Sequence, residues 1–190
     1  MSTKNAKVAK TKPAKETSDE FISEDSISTG SASYLKFEKG DTTFRFISKP
    51  ISGWLEWIDK KPQRTPMSEG QPEASDDENP PKKFIAGVVI DRKDDEVKIL
   101  EITQQSVIKA IRALAQNEKW GAPTSYDITV SKSGENMKTK YVVQPNPKKA
   151  LSKSDIAAAN EKQCNLEALF AGEDPWKVDG ADNVTEYVFK

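Results

Sequence analysis

The chain has 190 residues, one cysteine and no histidine, and its 29 Lys and Arg nearly balance 30 Asp and Glu. A lone cysteine excludes an internal disulfide framework, and the lack of histidine removes the commonest zinc ligand and general base. Hydrophobic residues make up 35% and no apolar run approaches the ~18 residues of a membrane span, so the expectation is a soluble cytoplasmic protein of one domain plus tails, without metal, cofactor or membrane partner.

Residues 1–32 place Lys4, Lys7, Lys10, Lys12 and Lys15 ahead of any acid and contain only scattered apolar residues such as Phe21, Ile22 and Ile27. That composition predicts a disordered basic arm. Met1 to Lys15 also lacks the apolar segment of a secretory signal. Order is expected from Tyr34-Leu35-Lys36-Phe37, opening a domain over 33–149.

The stretch from Gly40 to Trp57 organises that domain. Phe44 and Phe46 alternate with Thr43, Arg45 and Ile47, as strand side chains repeat every two residues. Pro50 and Gly53 predict a bend or bulge. Trp54 and Trp57 follow, then Lys60, Lys61 and Arg64, and rings beside cations suit stacked bases and neutralised phosphates. Strand parity sets Trp54 and Trp57 on opposite faces, so only one is expected to stack.

Residues 59–83 read as a long flexible loop, with Pro62, Pro66, Pro72, Pro80 and Pro81. Its centre carries Glu69, Glu73, Asp76, Asp77 and Glu78 without a base, between basic stems that end in Lys82 and Lys83. The apolar run Phe84–Asp91 predicts a central strand, Arg92 to Glu96 a turn, and Val97–Ile102 the returning strand. Thr103 is a candidate cap for a helix from Gln104 to about Asn117, with Val107, Ile108, Ile111, Leu114 and Ala115 on one face. Tyr126, Ile128 and Val130 mark a half-buried strand, Ser133 to Asn136 a turn, and Thr139–Gln144 a last strand, with Lys132 and Lys138 ahead of it and Lys140 next to Tyr141 within it.

Three strands, a helix and two strands is the element order of the OB-fold, a five-stranded, partly open Greek-key barrel. The fold expected is therefore mainly β, with one helix between strands 3 and 4. A different small antiparallel sheet with one helix fits the same order. Under the OB mapping the 59–83 and 133–138 loops flank the ligand cleft. The candidate DNA-binding residues are Lys36, Arg45, Lys49, Trp54, Trp57, Lys60, Lys61, Arg64, Lys132, Lys138, Lys140 and Tyr141.

The segments Phe44-Arg45-Phe46 through Trp57, Ile99-Leu-Glu-Ile-Thr-Gln and Trp120-Gly-Ala-Pro with Tyr126 to Val130 resemble phage single-stranded-DNA-binding proteins with an OB core. The resemblance covers about residues 34–147. It implies coating of single-stranded DNA without base specificity or catalysis during phage replication and recombination, with a filament or oligomer on DNA compatible. It also implies an acidic C-terminal tail that contacts replication and recombination proteins. Here the tail departs from that pattern, because its acids alternate with apolar residues and it ends Tyr187-Val-Phe-Lys190.

Residues 150–190 carry eight acids against four lysines. Ser152 to about Phe170 has helical spacing, with Ser152 or Ser154 as cap and Asp155 in the first turn. The remainder reads as a mobile acidic tether, or as structural cover through Trp176, Tyr187 and Phe189. No glycine-lysine phosphate loop or cysteine-histidine pair suggests an enzyme. The alternatives are a protein-binding adaptor and a Mg2+-dependent nuclease built on Asp91, Asp94, Asp95 and Glu96, although four acids in one turn are more simply a solvated turn.

Overall fold

The structure, a computed structural model, describes residues 34–178, 180 and 183–189. The basic arm expected over 1–32 lies outside them. The strands are β1 (Tyr34–Leu35), β2 (Gly40–Phe46), β3 (Ile51–Ile58), β4 (Lys61–Pro66), β5 (Lys82–Asp91), β6 (Glu96–Ile102), β7 (Tyr126–Ser133) and β8 (Lys140–Lys148). The helices are α1 (Gln105–Gln116), α2 (Lys153–Glu161) and the single-turn α3 (Ala168–Ala171).

The eight strands form one mixed sheet in the order β1-β6-β5-β2-β7-β8, with β3 on β5 and β4 on β3. The bend expected in the first long strand falls at Ile47–Pro50 and divides it into β2 and β3. Residues 40–44 pair with β7, 44–46 with the far end of β5, and 51–55 with its near end. Across the corner Ile47 donates to the Val88 carbonyl at 3.0 Å, and the Ser48 hydroxyl accepts the Val88 N–H at 2.9 Å. A side chain thus satisfies a buried amide that the bent backbone cannot reach.

Eight strands form the sheet where a five-stranded, partly open barrel was expected, and no closed barrel forms among the described residues. The outer edge of β6 pairs with β1, in parallel, and not with the last strand. β8 carries Pro145 and Pro147, which have no N–H to give a neighbour.

Both faces of the central sheet are buried, which explains the unbroken apolar run of β5. Val89 joins Phe44, Phe46, Leu100, Ile102, Tyr126, Ile128 and Val130 in an inner cluster, plugged by Val107 and Ile111 of α1. Phe84, Ala86, Val88 and Ile90 point the other way. With Ile47, Leu55, Val97 and Ile99 they meet Ala159, Cys164, Leu166 and Leu169 of the C-terminal segment. α1 starts one residue later than expected, at Gln105, and its cap Gln104 makes no side-chain bond.

The C-terminal segment differs from both a long helix and a loose tether. Ser152 and Asp155 form a reciprocal capping box for α2, Asp155 N–H to Ser152 Oγ at 3.1 Å and Ser152 N–H to Asp155 Oδ2 at 2.9 Å. The helix then stops at Glu161. The Asn165 and Leu166 amides bond Pro175 O and Thr185 Oγ1, and the Cys164 carbonyl accepts from the Thr185 amide, so this backbone serves the returning chain and not a helix. Tyr187 bridges to Ser48 and donates its hydroxyl to the Lys162 carbonyl at 2.7 Å. The described tail residues are therefore cover for the outer cluster, with Trp176 and Tyr187 packed against it.

Candidate nucleic-acid interface

The first half of the expected 59–83 loop is a hairpin. Asp59 and Lys60 both hold positive φ, 50° and 62°, the geometry of a two-residue turn whose twist matches its flanking strands. β4 tolerates Pro62 and Pro66 because it pairs only with β3 and leaves its other edge free. The resulting β3–β4 arm brings Trp57 opposite Pro62 and Ile58 opposite Lys61, with Lys60 in the turn. At its base Lys82 lies opposite Leu55 and Lys83 opposite Trp54. At the same base Gly53 is obligatory, since a Cβ there would collide with the Thr65 carbonyl and reach 2.9 Å from the Phe84 ring.

The arm separates the two tryptophans by face, as parity predicted. Trp57 is 60% exposed. Trp54 is half-buried on the other face, with the Lys83 ammonium 5.1 Å from its ring centre. Lys60, Lys61, Lys82 and Lys83 are exposed, and none forms an ion pair among the described residues. Lys82 and Lys83 were legible as loop stems but could not be joined to the tryptophans without the register.

Two of the candidates are not on this surface. Arg45 is 1% exposed and its guanidinium is fully engaged inside: Asp127 at 2.7 Å, Thr124 O at 3.3 Å and Lys149 O at 2.9 Å. The face opposite Phe44 and Phe46 is covered, so Arg45 is a core cation. Arg92 extends the network, bonding Asp127 at 3.2 Å and Asp155 at 2.9 Å, and so ties the α2 cap to the sheet. Burial disfavours the charged Asp155, but the bonds from Arg92 and from the Ser152 amide outweigh it and hold the carboxyl below its usual range. Arg64 is the second correction. Its side chain is 10% exposed and pairs with Glu101 at 2.7 Å.

The remaining candidates stand elsewhere. Lys138 and Lys140 are exposed at the β7–β8 hairpin. Lys132 turns inward to donate to Phe37 O at 3.0 Å, and Tyr141 packs half-buried on Phe37, centroids 6.1 Å apart. Lys36 is exposed in the β1–β2 connection, and Lys49 stands at the β2–β3 corner beside a cavity of about 390 Å³ lined by Leu166, Glu167 and Val184. The structure thus brings together Trp57, Lys60 and Lys61, with Trp54 behind them, and leaves the rest dispersed.

Three of the four acids of the β5–β6 turn have structural employment. Asp91 and Asp94 both hold the Lys98 ammonium, Asp91 at 2.8 Å, while Asp95 bonds Arg92 at 3.2 Å. Among the described residues no group of three His, Cys, Asp or Glu could hold a metal ion, and no helix is long and apolar enough to cross a membrane. Burial raises the Cys164 thiol to about 11 and pushes the Tyr187 phenol up as well.

The fold and the arm together define a mainly β protein that presents an aromatic ring and unpaired cations on a projecting hairpin. The chain is distantly similar to a probable ssDNA-binding protein of Escherichia phage T5, 25% identical over 139 residues, covering 58% of this chain and 54% of that one. It spans about half the length of that relative. No family model and no solved structure matches it.

Proposed function

We propose that this protein binds single-stranded DNA without reading its sequence, through the β3–β4 arm. The observation that carries this is Trp57, 60% exposed on an arm whose turn presents Lys60 and Lys61, neither ion-paired among the described residues. An exposed ring stacks any base, and adjacent ammonium groups neutralise the flanking phosphates. The phage relative, a probable ssDNA-binding protein, points the same way, and on that analogy the role is protection of unpaired DNA in phage replication and recombination, without catalysis.

We read the sheet as an opened OB-type barrel. β2 with β3 serves as the bent first strand, β5 to β8 as the other four, and α1 sits between the third and fourth. Every pairing of such a barrel but the closing one supports this mapping. An OB domain takes its ligand on the face of its second and third strands and on two flanking loops. Here the outer face of β5 and β6 lies beneath the C-terminal segment. The contact therefore shifts to the connection between the first and second strands, which is the arm.

A titration of tryptophan fluorescence with single-stranded, duplex and RNA oligomers tests the reading. Expected is quenching by single-stranded DNA well below the concentration at which duplex acts, and its reduction in Trp57→Ala. Equal response to duplex, or quenching unchanged in Trp57→Ala, would remove the arm as the site.

A further inference from the structure

The two faces of the arm are unlike. Trp57 and Pro62 share the open one. On the other, Trp54 is half-buried beneath Lys83, and its Nε1–H is enclosed with no acceptor among the described residues. The acidic half of the 59–83 connection touches this second face at Ser75. Glu56, two residues beyond Trp54 and therefore on the same side of the strand, accepts the Ser75 N–H at 3.3 Å. One residue further the chain closes a turn around Asp76. Its carbonyl accepts from Asn79 N–H at 3.1 Å, and its carboxylate takes Asn79 Nδ2 and the Glu78 N–H, each at 2.9 Å. These bonds, Asn79 first, hold the Asp76 carboxyl below its usual range.

The turn therefore has a definite shape and presents carboxylates to solvent. Glu69, Glu73, Asp76, Asp77 and Glu78 are all exposed, and none forms an ion pair among the described residues. The same chain runs directly into the unpaired Lys82 and Lys83.

We propose that segment 69–78 is an internal competitor for nucleic acid. Trp54 and Lys83, on the face opposite Trp57, form a second base-and-phosphate subsite on the arm, and the acidic turn stands over it until a single strand displaces it. The inference rests on the arm being the contact for single-stranded DNA. A segment joined to the arm at both ends meets it at high effective concentration, so a few carboxylates compete with phosphates for the same lysine. Among the described residues one exposed bond, from Ser75 to Glu56, pins the turn to the strand, so displacement breaks little. When a strand enters, Lys83 Nζ passes from the indole face to a phosphate and the vacated ring face takes a base. The strand is then gripped from both sides of the hairpin.

The test is a titration of single-stranded DNA against Glu73→Gln/Asp77→Asn/Glu78→Gln, with Asp76 kept because it closes the turn. A charge-matched control is Glu118→Gln/Glu161→Gln/Glu173→Gln, three exposed acids on other parts of the surface. Expected at about 0.02 M salt is a gain of about 3- to 10-fold for the first variant over the control, shrinking as screening shortens electrostatic reach at about 0.2 M. The gain should vanish when Lys83→Gln is added. Wild type that binds DNA while the two triple variants bind equally would overturn the competitor. A gain that survives loss of Lys83 would overturn the subsite. Absence of binding in wild type and variants alike would instead overturn the reading of the arm, and the inference with it.

Discussion

Residues 40–46 and 54–61 are one aromatic and basic stretch by composition, yet they end in opposite environments. In β2 the rings of Phe44 and Phe46 and the guanidinium of Arg45 are all buried. In the β3–β4 arm Trp57 stands in solvent beside unpaired lysines. The difference lies in what crosses each face. β2 has the inner cluster on one side, and on the other Asp127 and the Thr124 and Lys149 carbonyls collect every arm of Arg45. The hairpin leaves the sheet, and past the base no second layer covers its Trp57 side among the described residues. A cation beside an aromatic marks a nucleic-acid surface only where nothing in the chain already answers the charge.

The sharpest way to break the comparison is to uncover the core side. Removing residues 171–190 strips Trp176 and Tyr187 from the outer cluster. Both are partly buried, so each contributes less than the ~1.5–3 kcal/mol of full burial, and together they still amount to a large share of a domain stability of ~5–15 kcal/mol. Melting should fall by many degrees while affinity per folded molecule holds. Cys164 supplies a second readout. Its thiol, raised to about 11 by burial, should resist alkylation at pH 8 in the full chain and react readily in the truncated one. An unchanged melting temperature with tighter DNA binding would instead restore the tail to a free acidic tether.

Next comes Arg45→Met. Removing one partner of a buried ion pair costs about 3–5 kcal/mol, and the lower end applies because Arg92 still faces Asp127 at 3.2 Å. Thermal denaturation should report the loss and DNA titration of the folded protein should not. Trp57→Ala is the mirror case. Loss of one stacked base weakens binding by about 1–3 kcal/mol, about 5- to 150-fold, with melting almost unmoved. If Trp57→Ala lowered stability and spared affinity, the roles of the two regions would be reversed.

Much of this division was legible in the residues, and the failures have physical causes. Alternation at 43–47 identified two faces, but alternation alone does not say what covers a face, so Arg45 read as a surface cation. The apolar run 84–90 correctly implied burial on both sides. β4 was hidden because Pro62 and Pro66 read as breakers, and the Asp-Lys turn lacks the glycine that usually announces a tight hairpin. A free edge is where such prolines are tolerated. The helix expected through Phe170 stops at Glu161 because amides near Cys164 bond a segment some ten to twenty residues later, a long-range competitor that no local window contains. The tail's acids likewise drew attention from its aromatics, which decide its position.

A gentler probe of the arm is its salt response. Each phosphate neutralised on a single strand contributes about −0.7 to the log–log salt slope. Lys60→Gln with Lys61→Gln should therefore flatten the slope by about 1.4, if each meets one phosphate. Lys138→Gln with Lys140→Gln, on the other hairpin, asks whether the strand extends that far. An equal flattening there would enlarge the site beyond the arm, and no flattening at the arm would remove its electrostatic half.

The smallest effect belongs to the core side and concerns acid. Asp155 is buried, and burial alone would raise its pKa, yet the Arg92 bond and the Ser152 amide hold it below the ordinary carboxylate range. A depressed folded pKa means that the unfolded chain binds the proton more readily than the folded one. The stabilisation is therefore complete above the unfolded value of about 3.9 and disappears as pH falls through the lower folded value. Asp155→Asn keeps a side-chain oxygen for the Ser152 amide but gives up the charge facing Arg92. Its melting temperature should lie below wild type by a constant margin from neutral pH down to about 4, and the margin should close on further acidification. Arg92 also holds Asp127 and Asp95, so part of the charge balance survives and the margin should stay smaller than that of Arg45→Met. A margin that persists unchanged into strong acid would mean that the carboxylate contributes through shape and capping alone, and that the ion-pair network does not fasten the C-terminal cover to the sheet.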